Sequence, residues 1–254
     1  MKKIVVVAAL LLAFVGVKAQ TNIQEMYDFG RKHMTTTLEM FKGDNWGSTF
    51  FFVDIYHTNN IAPTDFYAEI ARTINFWGRN TSIGDNFVNN LSLHVEWNGG
   101  NGIYPNGYNT GWHGYAVNNA WLYGIEYFIA NNDFSQRLTL EVLYKDIRGY
   151  KVGFDKTADV PLQFTAVWGL DNLFGVRGLS FCGFADFWWE NNLWADGTKT
   201  TTTFLTEPQL WYQVGRHFNC DNLNIGGEIE IAHNFAGADL GWTVRPCLGI
   251  KWGF

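Results

Sequence analysis

From residue 20 onward, apolar and polar side chains alternate with a period of two, and this pattern constrains the fold most. In the segment 223–233, Ile225, Ile229 and Ile231 alternate with polar positions that include Glu228 and Glu230. In the last segment the apolar face consists of Trp242, Val244, Pro246, Leu248, Ile250, Trp252 and Phe254. Successive side chains of a strand point to opposite faces, so the pattern predicts strands with one apolar and one polar face.

Twelve such segments follow one another along the chain. They cover about 22–30, 32–42, 47–57, 64–77, 86–97, 111–130, 134–148, 161–171, 178–190, 199–214, 222–234 and 240–254. Most can supply the 9–11 tilted residues that a membrane strand needs. Longer connections follow odd-numbered segments, as at 98–110, 149–160 and 191–198, and short turns such as 43–45 and 131–133 follow even-numbered ones. We therefore predict an all-β, transmembrane, antiparallel up-and-down β-barrel of about twelve strands with both termini in the periplasm.

The first nineteen residues have the layout of a secretory signal peptide. Lys2 and Lys3 precede an apolar run from Ile4 to Val17, and a small-x-small site ends at Ala19. A membrane-spanning helix is the alternative, but the run is shorter than the roughly 20 residues that such a helix needs. The prediction is a signal peptide at 1–19 and a single barrel domain at 20–254. No later run reaches 18 apolar residues, which leaves a secreted or periplasmic protein, or a membrane barrel.

The composition favours a surface that faces lipid. Charged residues make up 17% of the chain, against about 25% in typical soluble domains. Many tryptophans and tyrosines fall near predicted strand ends, where the aromatic girdles of a membrane barrel lie: Trp46, Tyr56, Trp77, Trp97, Trp112, Trp189, Trp242 and Trp252. The chain ends on Phe254, a terminal aromatic of the kind that bacterial barrel assembly machinery reads. We expect a monomer in the bacterial outer membrane, in contact with its lipid and with that machinery, and no nucleic-acid polymer as partner.

The polar faces of the strands carry an excess of acids. The acidic candidates for the barrel interior are Glu39, Asp54, Glu69, Glu96, Glu126, Glu141, Asp186, Glu207, Glu228 and Glu230, and the basic candidates are Arg72, Lys145, Arg245 and Lys251. Arg72 breaks the alternation, and a bulge in its strand would turn it inward. Aromatic residues fall in phase with the acids: Phe50, Phe52, Phe128, Phe184, Trp188 and Trp211. Either these side chains fill a narrow barrel, or they line a passage suited to flat polar solutes such as nucleobases.

Several segments resemble the nucleoside-specific outer-membrane channel family (Tsx-like). The resemblance rests on residues 35–41 and 50–56, on Ala68–Arg72, and on the Phe/Asp/Trp-rich run 183–189. It implies a twelve-stranded monomeric barrel that passes nucleosides through a narrow, aromatic and ionisable interior. The residues in matching segments, for which it implies an interior role, are Glu39, Phe50, Asp54, Glu69, Arg72, Phe184 and Asp186.

The sequence offers little support for catalysis, metal binding or a cofactor, and we predict none of these. Ser92 and His94 could touch on one strand face, but they lie mid-strand, away from the edge where a lipid-modifying barrel enzyme would act. The six histidines form no metal-ligand motif. Three cysteines, Cys182, Cys220 and Cys247, allow one disulfide or none.

These observations predict an outer-membrane channel for passive uptake of small hydrophilic solutes, with nucleosides favoured. The residues expected along the solute path are Glu39, Phe50, Phe52, Asp54, Glu69, Arg72, Glu96, Glu126, Phe184, Asp186, Glu228 and Arg245. Three alternatives stay open at this point: a non-conducting structural or surface-interaction barrel, a lipid-modifying enzyme, and a soluble secreted barrel that holds a ligand.

Overall fold

A computed structural model describes residues 20–58, 63–76, 87–105, 112–148, 160–194, 196–235 and 240–254, with backbone only at 104–105 and 112–118. The predicted signal peptide and most of the predicted loop 149–160 lie outside these residues, and the signal peptide stays a prediction. None of the helices in the described part of the chain has the length and apolar character needed to cross a membrane.

The described residues form one antiparallel sheet that closes on itself. Apart from β10 and β11, which both pair with β9 and β12, each strand pairs with its neighbours in the sequence, and the last strand pairs with the first over Asn22–Asp28, which removes both free edges. The strands are β1 (Gln20–Asp28), β2 (His33–Asp44), β3 (Gly47–His57), β4 (Asp65–Ile74), β5 (Leu91–Pro105), β6 (Trp112–Ala130), β7 (Gln136–Arg148), β8 (Leu162–Asp171), β9 (Leu179–Leu193), β10 (Lys199–Thr206), β11 (Gln209–Tyr212), β12 (Leu223–His233) and β13 (Trp242–Gly253).

Strands β10 and β11 are two parts of one barrel strand. Both pair with β9 on one side and β12 on the other, and the register continues unchanged across the gap. The gap holds Glu207 and Pro208, and proline has no N–H to donate to the sheet. The predicted all-β, antiparallel, closed barrel of twelve strands is therefore confirmed, with the tenth strand interrupted at its proline.

The two ends of the barrel differ less than the sequence predicts. We call the end that holds Gln20 and Gly253 the termini end, and the opposite end the far end. The longest connection at the termini end, residues 75–90 between β4 and β5, includes a short 3₁₀ helix at Phe87–Asn90. At the far end, the connection 29–32 between β1 and β2 is short. These two connections depart from the predicted contrast in connection length, and part of the expected loop 98–110 extends β5 to Pro105 instead, where it pairs with β6.

Short turns at the termini end are stabilised by their own polar side chains. In the turn 131–135, the Asn131 amide donates to the Ser135 hydroxyl at 2.9 Å, and that hydroxyl donates to Asp133 at 2.7 Å. The hydrogen bonds from the Ser135 side chain and backbone hold the pKa of Asp133 below its usual range. Within the same turn, the Phe134 ring stacks on Phe128, which lines the barrel interior, with ring centroids 6.4 Å apart.

The outer surface is an apolar belt. Side chains that alternate with the inward positions are large, apolar and exposed on most strands, including Ile23, Ile70, Leu93, Ile125, Val142, Phe164, Leu210, Ile225, Val244 and Leu248. A water-soluble protein rarely exposes so continuous an apolar surface. Of the predicted girdle residues, Trp46 and Trp242 are exposed at the two ends, whereas Trp77 and the side chain of Trp112 lie outside the described residues. Tyr56 is a correction, because the even-numbered residues of β3 face inward and place its ring inside the barrel.

Among the residues that the structure describes, the interior contains two packed apolar clusters. One consists of Ala120, Leu122, Leu143 and Ile147 on β6 and β7, in the far-end half. The other joins Met26, Trp211 and Cys247 across β1, β11 and β13. All three cysteines are free, and two of them, Cys182 and Cys247, pack at this second cluster.

Candidate functional site: an acidic cavity inside the barrel

The barrel encloses a cavity of about 500 Å³. It reaches the termini end at Gln20, Phe41 and Ser48, and along β1–β3 it extends to Asp28 and Arg31 at the far end. Twelve of the residues that line it are acidic, and only three are Arg or Lys. The cavity therefore favours positive charge.

Ten of the twelve residues predicted along the solute path line this cavity. They are Glu39, Phe50, Phe52, Asp54, Glu69, Glu96, Glu126, Phe184, Asp186 and Glu228. The strands place them there because each belongs to the polar phase of its strand, and the phase continues without a register shift between β2, β3 and β4. Their position is observed, whereas their part in solute passage stays a prediction.

Arg72 does not lie in the cavity, and the bulge predicted to turn it inward is absent. Strand β4 pairs with β3 and β5 without any register shift. Arg72 therefore stays on the outer face at the termini end, where its guanidinium donates to Asp44 at 2.6 and 3.0 Å and to the Thr49 hydroxyl at 3.0 Å. The charge is tolerated there because it sits at the barrel end, beside a carboxylate.

Arg245 lies inside the barrel but not on the cavity wall. Its Nη1 donates to Glu230 at 3.0 Å, across the pair that β12 and β13 form at this position. A second arginine, Arg31, reaches the same carboxylate at 2.7 Å and also donates to Asp28 at 2.8 Å. Glu230 is thus held between two guanidinium groups at the far end.

Arg31 is a cavity residue that the sequence analysis missed. It belongs to the connection 29–32 rather than to a strand, so strand alternation makes no statement about it. Asp28 accepts hydrogen bonds from the backbone N–H groups of Gly30 and Arg31, at 2.7 and 2.8 Å, and thereby folds the connection inward. An Asp two residues before a Gly, as in Asp28-Phe29-Gly30, is a turn signal, but the direction of Arg31 depends on Glu230, 199 residues away.

Five cavity carboxylates accept hydrogen bonds from neutral donors. Glu39 accepts from Asn22 at 2.8 Å, and Asp54 accepts from the Thr37 hydroxyl at 2.5 Å. The corresponding donors are Tyr67 for Glu69 at 2.8 Å, Thr165 for Asp186 at 2.6 Å, and Gln209 for Glu228 at 2.9 Å. These bonds fix the carboxyl groups on the wall, and each group keeps oxygen lone pairs that can accept a hydrogen bond from a solute.

Aromatic rings stand beside these carboxylates. The ring centroids of Phe50 and Phe52 are 6.0 Å apart on β3, and Phe52 lies 6.0 Å from Tyr67 on β4. Phe184 lines the same cavity from β9. The wall therefore offers flat apolar surfaces next to hydrogen-bond acceptors, which suits a planar solute with polar edges.

Over most of the circumference, the far-end half is filled by side chains. Lys145 lies 4.0 Å above the Trp188 ring and donates to Gln163 at 2.7 Å, while the Trp188 indole donates to Glu190 at 2.9 Å. Together with the cluster on β6 and β7, these buried groups fill that part of the interior. The cavity therefore extends to the far end along β1–β3. The predicted interior positions of Lys145 and Trp188 agree with this packing.

Several acidic residues surround His94 on β5. Its Nε2 donates to Glu96 at 3.0 Å, and its Nδ1 lies 3.6 Å from Glu126 and 3.7 Å from Glu141. Ser92, weighed above as a nucleophile beside His94, is instead approached by the Asn75 amide at 3.5 Å. The His94 imidazole therefore faces carboxylates, and this geometry favours binding of a ligand over activation of Ser92 as a nucleophile.

The sequence matches one family model. Residues 19–254 match the model described as "Domain of unknown function (DUF5020)", and the chain belongs to this family. Among curated proteins, no sequence is similar enough to this chain to count as a relative.

Solved structures share the barrel architecture at low sequence identity. The NanC porin is similar with a TM-score of 0.50 and 9% identity, over 91% of this chain and 98% of that one. The Acinetobacter baumannii outer membrane protein Omp33 has a TM-score of 0.39 and 10% identity, over 94% of this chain and 98% of that one. At such identities the likeness to NanC shows the fold, and neither comparison concerns nucleosides.

Proposed function

We propose that this member of the DUF5020 family is a bacterial outer-membrane channel for passive uptake of small hydrophilic solutes, with nucleosides as the favoured class. The observation that carries the proposal is the 500 Å³ cavity, which reaches both ends of the barrel and whose wall combines acids with aromatic rings. The apolar outer belt supports a position in lipid, since a closed barrel satisfies its backbone hydrogen bonds internally. The proposal includes no catalytic step.

The chemistry of the wall selects against anions. With twelve acidic side chains and three Arg or Lys around the cavity, an anionic solute meets a repulsive field, whereas neutral and cationic solutes do not. Weak binding at several successive positions suits conduction, because a solute must enter without being trapped. Glu39, Asp54 and Glu69 provide such positions along β2–β4.

Nucleosides fit this wall because a nucleobase has a flat face and an edge with N–H donors. The face can stack on Phe50 or Phe52, and the amino and hydroxyl groups can donate to the neighbouring carboxylates. This part of the proposal is supported by the ring and acid arrangement and by the sequence resemblance to nucleoside-specific channels.

Planar bilayer recordings test the channel proposal. The purified barrel should give single-channel currents in KCl, and adenosine or uridine at millimolar concentration should reduce them. The double variant Glu39→Ala with Phe50→Ala should keep the folded barrel but lose most of the nucleoside effect. Currents that nucleosides leave unchanged would remove the nucleoside assignment, and the absence of currents would remove the channel.

A second candidate is a non-conducting barrel. The packed far-end half, with Leu122, Leu143 and Trp188 almost fully buried, favours it. The same recordings separate the two functions, because this candidate predicts a folded, membrane-inserted protein without current.

A further inference from the structure

We infer that the barrel wall holds a site for a divalent transition-metal ion of the zinc type, with His94, Glu126 and Glu141 as ligands and Glu96 orienting the imidazole. The four residues come from three neighbouring strands, β5, β6 and β7, and all of them line the cavity. Glu96 and Glu126 are also among the residues predicted along the solute path, but metal binding at this site does not depend on whether the barrel conducts.

The distances from the His94 imidazole to the carboxylates around it are those of a metal site. One ligand atom from each of His94, Glu96 and Glu141 lies within 4.8 Å of the others. The imidazole Nδ1 is 3.6 Å from Glu126 Oε2 and 3.7 Å from Glu141 Oε1. Both separations are too long for a hydrogen bond. They are close to the roughly 3.4 Å that separates two ligand atoms bound to one tetrahedral zinc ion at about 2.1 Å.

The imidazole nitrogen that faces these carboxylates is available as a ligand. The His94 side chain is 3% exposed, and its Nδ1 is buried without a hydrogen-bond partner among the described residues. The other nitrogen, Nε2, donates to Glu96 at 3.0 Å. A carboxylate that accepts from the second nitrogen is the usual companion of a metal-bound histidine, because it fixes the tautomer and the ring orientation.

The number of carboxylates around His94 is a second, independent reason to infer a bound cation. Glu126 and Glu141 face each other across β6 and β7, and Glu96 lies beside them, all largely removed from water. A protonated His94 would offset one of three carboxylates, whereas a bound dication offsets two and leaves the imidazole neutral. Lys145, the nearest buried amine on β7, already donates a hydrogen bond to Gln163. Oxygen and imidazole ligands together suit Zn²⁺ or Mn²⁺.

The site is accessible as well as buried. Because His94, Glu126 and Glu141 line the cavity, an ion can reach them from the termini end, and a water molecule or a solute atom can complete the coordination. A tetrahedral ion with three protein ligands has this open position.

Zinc binding to the full chain, purified in detergent without a polyhistidine tag, tests the site. Isothermal titration with ZnCl₂ should give one ion per chain, and His94→Gln and Glu141→Gln should abolish this binding. Glu96→Gln should weaken it about ten- to a hundredfold, the usual effect of removing the partner of a metal-bound histidine. The control His217→Gln removes an exposed histidine bonded to Tyr212 in a termini-end turn, and it should bind as the parent does.

Folding is followed in every variant by the different electrophoretic migration of the heated and unheated barrel. Should the variants fail to fold, the parent protein still tests the site, since bound Co²⁺ should show the visible absorption of a tetrahedral centre. The proposal is overturned if the parent binds no Zn²⁺, if folded His94→Gln binds it unchanged, or if Co²⁺ gives no such absorption.

Discussion

At the scale of single residues, the cavity carboxylates are held by neutral partners rather than by cations. Glu39 and Glu69 accept hydrogen bonds from Asn22 and Tyr67, so they are fixed in place on the cavity wall by neutral donors. Fixed charges on the wall of a narrow pore determine which ions pass. By contrast, Arg31 and Arg245 both donate hydrogen bonds to Glu230 at the far end.

Neutralising the fixed acids should therefore lower cation selectivity. We expect the double variant Glu39→Gln with Glu69→Gln to reduce the K⁺/Cl⁻ permeability ratio, measured as the reversal potential across a bilayer under a KCl gradient. Glu25→Gln is the matched control, because Glu25 lies on the outer face of β1, where it accepts from Thr36 at 2.6 Å. An unchanged ratio in the double variant would show that these acids do not face the permeating ions.

At the scale of elements, the backbone is most constrained where β9 passes the break between β10 and β11. Gly183 has a φ of +149°, a conformation that side-chain-bearing residues rarely adopt. A Cβ there would lie 2.4 Å from the Glu207 carbonyl oxygen and 3.0 Å from the Trp168 ring. Alternation predicts the strands on either side of this position, but not the close approach, which depends on where Pro208 interrupts the pairing.

Gly183→Ala should therefore destabilise the barrel, by about 1–3 kcal/mol for a residue forced into a sparsely populated backbone conformation. Urea unfolding in lipid vesicles, followed by tryptophan fluorescence, measures the change. Gly253→Ala is the control, since a methyl group there would meet no atom within 4 Å. Equal stability of the two variants would contradict the strain at Gly183.

At the scale of the whole molecule, the barrel has its polar side chains inside and its apolar side chains outside, the reverse of a soluble domain. Acids line the interior, and large apolar side chains such as Leu248, which is 61% exposed, cover the outside. This arrangement is stable when the outside faces hydrocarbon, and it explains the low charge content of the chain.

A lysine on the belt distinguishes lipid from water as the surrounding medium. Leu248 lies in the middle of β13, so Leu248→Lys should cost about 2–4 kcal/mol at the membrane midplane, and Val244→Lys, near the strand end, about 0–1 kcal/mol. Urea unfolding in vesicles compares the two variants. A soluble secreted barrel would instead tolerate both lysines equally and stay in solution without detergent.

The last residue is expected to matter for assembly rather than for stability. The Phe254 side chain is 73% exposed, and only its backbone N–H contributes to closure, by donating to Thr21 at 2.9 Å. Phe254→Ala should lower the amount of folded barrel in the outer membrane of cells and leave refolding in detergent unchanged. Phe218→Ala, an equally exposed aromatic in a turn at the same end, should change neither.

The sequence by itself determined the features that alternation expresses locally: the number of barrel strands, the face on which most strand side chains lie, and the cavity-lining position of ten of the twelve residues predicted along the path. Only the tertiary structure decided what depends on contacts between distant segments. It left Arg72 on the outside because no bulge interrupts β4, it brought Arg31 to Glu230, and it gathered His94, Glu126 and Glu141 from three strands. Alternation sets the face of a residue, whereas its neighbours on that face depend on register and closure.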